Sequence, residues 1–144
     1  MTNAEIVNIF TNLTDPKNKL TELTGAKFSY ALIRNSSILR PAVVAYEEAR
    51  KVLLESFSKK DKEKKPVLET VKVGEVEQQQ YVLEDQVKFQ KEFQALLQEE
   101  VNVNLFQISL DEVPTEITGS QMMLIYPIIK DDNPVVQPIK KVKK

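Results

Sequence analysis

The sequence contains neither cysteine nor histidine. Without cysteine there is no disulfide framework, no thiolate nucleophile and no thiolate metal site, a composition compatible with a reducing cytoplasm. Without histidine the chain lacks the usual general base near neutral pH and the commonest transition-metal ligand. Glycine occurs three times, at Gly25, Gly74 and Gly119, each isolated, so no glycine-rich phosphate loop can form. No apolar run approaches the roughly 20 residues that span a bilayer. The opening residues, MTNAEIVNIFTNL, lack the basic start and small-residue cleavage site of a signal peptide. No membrane partner is expected.

These absences leave little room for catalysis. A serine or threonine nucleophile would need a lysine or an N-terminal-type base, and no motif supplies one. Carboxylate metal sites reduce to the adjacent pairs Glu47-Glu48 and Asp131-Asp132. Neighbours on a helix point about 100° apart and converge poorly on one ion. Both pairs read as solvated surface acids. No catalytic residue, metal set or cofactor is assigned, and the chain reads as non-enzymatic.

What is present is ordinary for a folded protein: 144 residues, 42% apolar and 28% charged, enough for a modest core. The charge is unevenly placed. Residues 59–65, KKDKEKK, hold five lysines and two acids, as do residues 130–144. Setting these aside reduces the 20 basic and 21 acidic residues to ten against seventeen. An acidic body therefore carries a basic loop and a basic tail. The expected organisation is one α+β domain over 1–129 and an extended basic tail over 130–144.

Thr2 and Glu5 have capping-box spacing ahead of Ile6, Val7, Ile9, Phe10 and Leu13, which predicts a helix over about 3–14, halted by Asp15-Pro16. Residues 17–26 fit a turn of helix or an irregular connector, ending near Gly25. Next, Leu32, Asn35, Leu39, Ala42, Tyr46, Ala49 and Leu53 follow one another at alternating steps of three and four. The phase is unaltered across Pro41, which favours one bent helix over about 27–58. An interior proline costs about 3 kcal/mol, which several buried side chains at roughly 1.5–3 kcal/mol each outweigh. The alternative starts a new helix at Pro41 and leaves Arg40 as a poor N-cap. Asn35 on this seam has two readings: a buried polar residue that sets register or oligomeric state, or a side chain that meets water or a loop carbonyl.

Beyond the lysine loop, Gly74-Glu75 between Val73 and Val76 suits a two-residue type II′ hairpin. That register sets Lys72 opposite Glu77 and Leu68 opposite Tyr81. Two strands alone are marginal, so the hairpin must lean on something else. A third helix over about 84–100 carries Phe89, Phe93, Leu96 and Leu97 on one stripe and is expected to pack antiparallel on the long helix. VNVNLFQISL, residues 101–110, alternates with a phase shift at 105/106 and predicts a strand with a bulge or with cover on both sides. Thr118 and Gln121 cap a short apolar helix over about 119–126 that runs into Pro127.

Met122, Met123, Leu124, Ile125, Tyr126, Ile128 and Ile129 form the most apolar short segment. It is apolar all round, so it is either wholly buried or has one face left for a second partner. Methionine and tyrosine suit adaptable contacts. Met122, Met123, Tyr126 and Asn35 are the candidate partner-interface residues. The alternative is nucleic-acid binding through Lys140, Lys141, Lys143 and Lys144 with the loop lysines. The acidic body and the lack of an interleaved aromatic oppose it. A small ligand between helix and hairpin stays open.

The order FSYALIRNSSIL, AYEEARKVLLESF and KKD, then YVLEDQVKFQKEFQALLQEEVNVNLFQISLDEVP and ITGSQMMLIYPII, resembles small proteins encoded by tailed bacteriophages and prophages. The likeness spans most of residues 1–129. It implies a phage-encoded accessory or structural protein, located in the cytoplasm of the infected bacterium or in the virion. It carries no catalytic residues onto this chain. The expected function is protein–protein contact, with a homo-oligomer as the first form of it.

Overall fold

Pro41 does not interrupt the long helix. In a computed structural model of the chain, which describes residues 1–130, α2 runs unbroken over Ala26–Phe57, with Pro41 inside it. Proline has no N–H, so the Ser37 carbonyl loses its intrahelical donor. The seam on the opposite face offsets this loss. Leu32, Asn35, Leu39 and Tyr46 are buried, while Ala42, Ala49 and Leu53 are half-buried.

The described residues form two compact units, each built from two stretches of sequence. One comprises Met1–Ala4 and Ala42–Val101; the other comprises Glu5–Pro41 and, of the described residues, 102–130. The boundary along α2 falls at Pro41, so the helix contributes its first half to one unit and its second half to the other.

In the second unit, α1 (Asn3–Thr14) buries Ile6, Ile9 and Leu13 at helical spacing. Its end follows from local chemistry. Pro16 opens a 3-10 turn, Pro16–Asn18, and the Asp15 side chain accepts from Lys17 N at 2.9 Å. A further 3-10 turn, Leu20–Glu22, buries Leu20. Gly25, at φ +136°, then leads into α2 in a conformation side chains disfavour. Arg40 lies 5.1 Å above the Phe10 ring, a cation–π contact on the flank of this core.

In the first unit, the last turn of α2 meets the start of α3, Gln86–Gln98. Phe57 approaches Phe89 edge-on at 6.2 Å, and Phe89 stacks on Phe93 at 5.7 Å. Glu84 N donates to Phe57 O at 3.0 Å, so the chain leaving α2 is tied to the chain entering α3. The result is a helical hairpin. Asp85 caps α3 by accepting from Lys88 N at 3.0 Å. The other end is closed by the start of the chain: Asn3 Nδ2 donates to Leu96 O at 2.9 Å, and Asn3 N donates to Glu99 O at 3.0 Å. Leu96 O, at the C-terminal end of α3, also accepts from the C-cap Glu99 N at 3.2 Å, so Asn3 adds a second donor there and supplies one to the cap carbonyl of Glu99.

Between the two helices the chain makes an antiparallel hairpin, β1 (Leu68–Val73) and β2 (Val76–Tyr81). Its register pairs Lys72 with Glu77 and Leu68 with Tyr81, as the turn chemistry predicts. Gly74 sits at φ +65°, the positive angle a primed turn requires. What the hairpin leans on is a backbone junction at its base. Val67 N donates to Lys59 O at 2.7 Å, Lys59 N to Val82 O at 2.6 Å, and Val82 N to Val67 O at 3.0 Å. Tyr81 Oη also lies 3.3 Å from Glu55 Oε2 on α2.

The strand expected over residues 101–110 is not formed. Burial alternates as anticipated up to Ile108, including the shift at 105/106, while Leu110 is exposed. Among the described residues no neighbouring strand supplies a row of backbone partners. Phe106 pairs its backbone with a side chain, and Ile108 makes a lone parallel bridge to Ile129. Burial pattern alone does not make a ladder.

Candidate functional site

The apolar segment at 119–129 has two faces with opposite fates. Thr118 and Gln121 form the expected capping box, with Gln121 N donating to Thr118 Oγ1 at 3.1 Å and Thr118 N to Gln121 Oε1 at 3.0 Å. The helix they start, α4, covers Gly119–Ile125 and passes into a 3-10 turn, Tyr126–Ile128, which accommodates Pro127. Gln121 Nε2 also reaches Asn18 O at 3.0 Å, fixing the segment on the second unit. Ile125 and Ile128 are wholly buried, whereas Met123 is 79% exposed and Tyr126 68%. Met122 is half-buried. Complete burial is therefore excluded for this segment. Two large side chains three positions apart are held outward by two isoleucines held inward.

Asn35 does not belong to that surface. It is wholly buried, and its amide is fully engaged inside the unit. Nδ2 donates to Ala31 O at 2.9 Å and to Phe106 O at 2.8 Å, while Oδ1 accepts from Phe106 N at 2.8 Å. Both amide hydrogens are used. This corrects its assignment as an interface residue and matches the reading in which it meets a loop carbonyl.

The lysines proposed for nucleic acid, Lys140, Lys141, Lys143 and Lys144, lie outside the described residues, as does the pair Asp131-Asp132. In the lysine loop, Lys60 Nζ turns back onto the end of α2, donating to Glu55 O and, at 2.8 Å, to Ser58 Oγ. A cation at that end complements the helix dipole. Lys65 pairs with Glu63 at 3.7 Å. Among the described residues no group of three or more acidic side chains converges as a metal site, and no helix is long and apolar enough to cross a membrane.

One groove was not legible in the sequence, and a second lies between helix and hairpin, where the sequence left a small ligand open. The first, of about 410 Å3, lies in the second unit between the start of α2 and residues 106–112, with Lys27, Tyr30, Phe106, Ile108, Glu112 and Lys130 on its walls. Tyr30 meets Phe106 edge-on at 5.5 Å, and the Arg34 guanidinium lies 5.2 Å from the Phe106 ring and donates to Tyr30 Oη at 2.8 Å. Ser109 N donates to Glu112, and Lys27 pairs with it at 3.1 Å; in that order the two hold its carboxyl below the usual range. On the same unit the Glu116 carboxyl is likewise lowered, by its own backbone N–H first and then by the Thr24 hydroxyl, 2.9 Å away. The second groove, of about 500 Å3, lies in the first unit beside β2, with Arg50 and Leu54 of α2 on its wall. The i, i+4 spacing of Tyr30 and Arg34 was the one local signal for the first groove. The second depends on where the hairpin stands against α2.

Comparison with models of known protein families, with curated proteins and with solved structures finds no match to this chain.

Proposed function

We propose that the chain is a non-enzymatic, phage-encoded accessory or structural protein that acts through protein–protein contact, with self-association through the α4 segment as its first form. One observation carries this reading: Met123 and Tyr126 project together into solvent from a segment that Ile125 and Ile128 anchor. Exposing two large side chains on an anchored element gains nothing for the fold. Methionine and tyrosine are also residue types that interfaces favour over ordinary surface. The tyrosine adds a hydroxyl that can be hydrogen-bonded at a contact that is otherwise apolar.

Mass in solution across a concentration series tests it. The unaltered chain is expected to show a dimer or higher form at high micromolar concentration. Met123→Glu and Tyr126→Ser are expected to shift it to the monomer with an unchanged circular dichroism spectrum. A chain that is monomeric throughout, or whose association ignores both substitutions, removes the proposal.

A further inference from the structure

Both faces of the hairpin meet water, with Leu68, Val73 and Val76 at 49%, 57% and 59% exposure. An isolated two-stranded sheet is marginal, and a third strand brings independent stability. The pair closing the turn, Val73 and Val76, exchanges both backbone bonds, and such pairs alternate along an antiparallel ladder. The N–H and C=O groups of Glu77, Gln79 and Tyr81 therefore point away from β1. Among the described residues none of these six groups has a hydrogen-bond partner.

That free edge opens on the groove of about 500 Å3 in the first unit, whose lining takes in residues 78–83 together with Arg50, Leu54, Glu69 and Gln86. We infer that the groove receives an extended, proline-free peptide segment of a partner protein, which adds to β2 as a third strand and sets a carboxylate on Arg50. Main-chain bonds supply the affinity in such strand addition, and alternate side chains supply the choice of partner. The outward positions of β2 are Glu77, Gln79 and Tyr81 and those of β1 are Leu68, Thr70 and Lys72, so each edge carries one charge, at its turn end, and no proline. It is β2 that borders the groove.

Arg50 is the cation on the wall and the point at which a carboxylate can be held. Arg50 is exposed, and among the described residues no carboxylate lies within ion-pairing distance of its guanidinium. Its planar fork matches a carboxylate in two parallel bonds. Glu69, the acid on the same wall, is engaged by Gln80 Nε2 at 3.3 Å. Leu54 offers apolar contact to one side chain of the incoming strand. This surface lies in a different unit from Met123 and Tyr126 and does not depend on them.

A random peptide library selected against the full chain tests the inference, with the enriched sequences then synthesised. They are expected to be free of proline, to alternate in polarity and to carry an aspartate or glutamate. N-methylation of alternate backbone amides is expected to weaken them about tenfold. The residue-79 N–H faces away from β1, so Gln79→Pro removes a donor to the peptide and leaves the ladder intact. It is expected to weaken binding about tenfold, as is Arg50→Gln for the acidic peptides alone. Slow exchange of the Gln78 and Gln80 amides reports whether the Gln79→Pro hairpin persists; if it does not, the N-methylated peptides on the unaltered chain decide. Absence of enrichment overturns the inference, as does binding that ignores N-methylation or that is equally tight to both variants. Self-association abolished by Gln79→Pro would instead make a second copy the occupant and overturn it too.

Discussion

The side chain of Asn35 binds both backbone polar groups of Phe106, accepting from its N–H and donating to its C=O, each at 2.8 Å. The two residues are 71 positions apart. A side-chain amide here does what a neighbouring strand would do, presenting one acceptor and one donor at peptide spacing. Asn35→Leu would leave both backbone groups of Phe106 without partners inside the unit. Each unsatisfied group costs about 1–3 kcal/mol, so the variant is expected to lose about 2–6 kcal/mol in denaturant unfolding. Asn35→Gln, a methylene longer, is expected to fall in between. A neutral Asn35→Leu would show that the clamp contributes nothing.

Pro41 makes a second case. It is exposed, on the side of α2 away from the seam, so its ring takes no part in the core. Pro41→Ala restores the donor to the Ser37 carbonyl and relieves the ring clash, a gain of about 3 kcal/mol in a regular helix. The freer unfolded chain takes back about 1 kcal/mol. A net rise of about 2 kcal/mol in unfolding free energy is expected. A fall in stability would mean that the distortion imposed by proline is part of how the seam packs.

Acid should act on the second unit through Glu112. Its folded pKa lies below the ordinary value because Ser109 N–H and Lys27 favour the carboxylate. A depressed folded pKa gives stability that is present above the unfolded pKa and lost as pH falls through the folded one. The denaturation midpoint is therefore expected to drop on acidification through and below the usual carboxylate range, about pH 4. Glu116 adds in the same direction. Glu112→Gln should lower the midpoint at neutral pH and show a shallower acid fall. Parallel curves for the variant and the unaltered chain would remove Glu112 from the account.

The elements that could be read from sequence are those governed by neighbours along the chain. The seam from Leu32 to Leu53 kept its phase across Pro41 because side-chain direction in a helix depends on residue count alone. Gly74 set the hairpin register for a similar reason: two residues and a positive φ leave one way to close the turn. Thr118 and Gln121 announced α4 through a contact three residues long. Residues 101–110 misled because alternation reports which side chains are covered and not what the backbone is bonded to. Asn35 kept two readings for a related cause, since its partner is fixed by tertiary contact. The exposed Met123 and Tyr126 stood in one apolar run with the buried Ile125 and Ile128, and only the three-dimensional packing separates them.

The division of the chain after Ala4, Pro41 and Val101 has a practical result for anyone cutting it. Neither half of the molecule is a continuous piece of polypeptide, so no fragment with natural ends contains one half and omits the other. Deletions reaching into residues 1–130, nicked products and separately expressed pieces would each strand a segment whose companions lie elsewhere in the gene. Dissection is better attempted by co-expressing two pieces than by shortening.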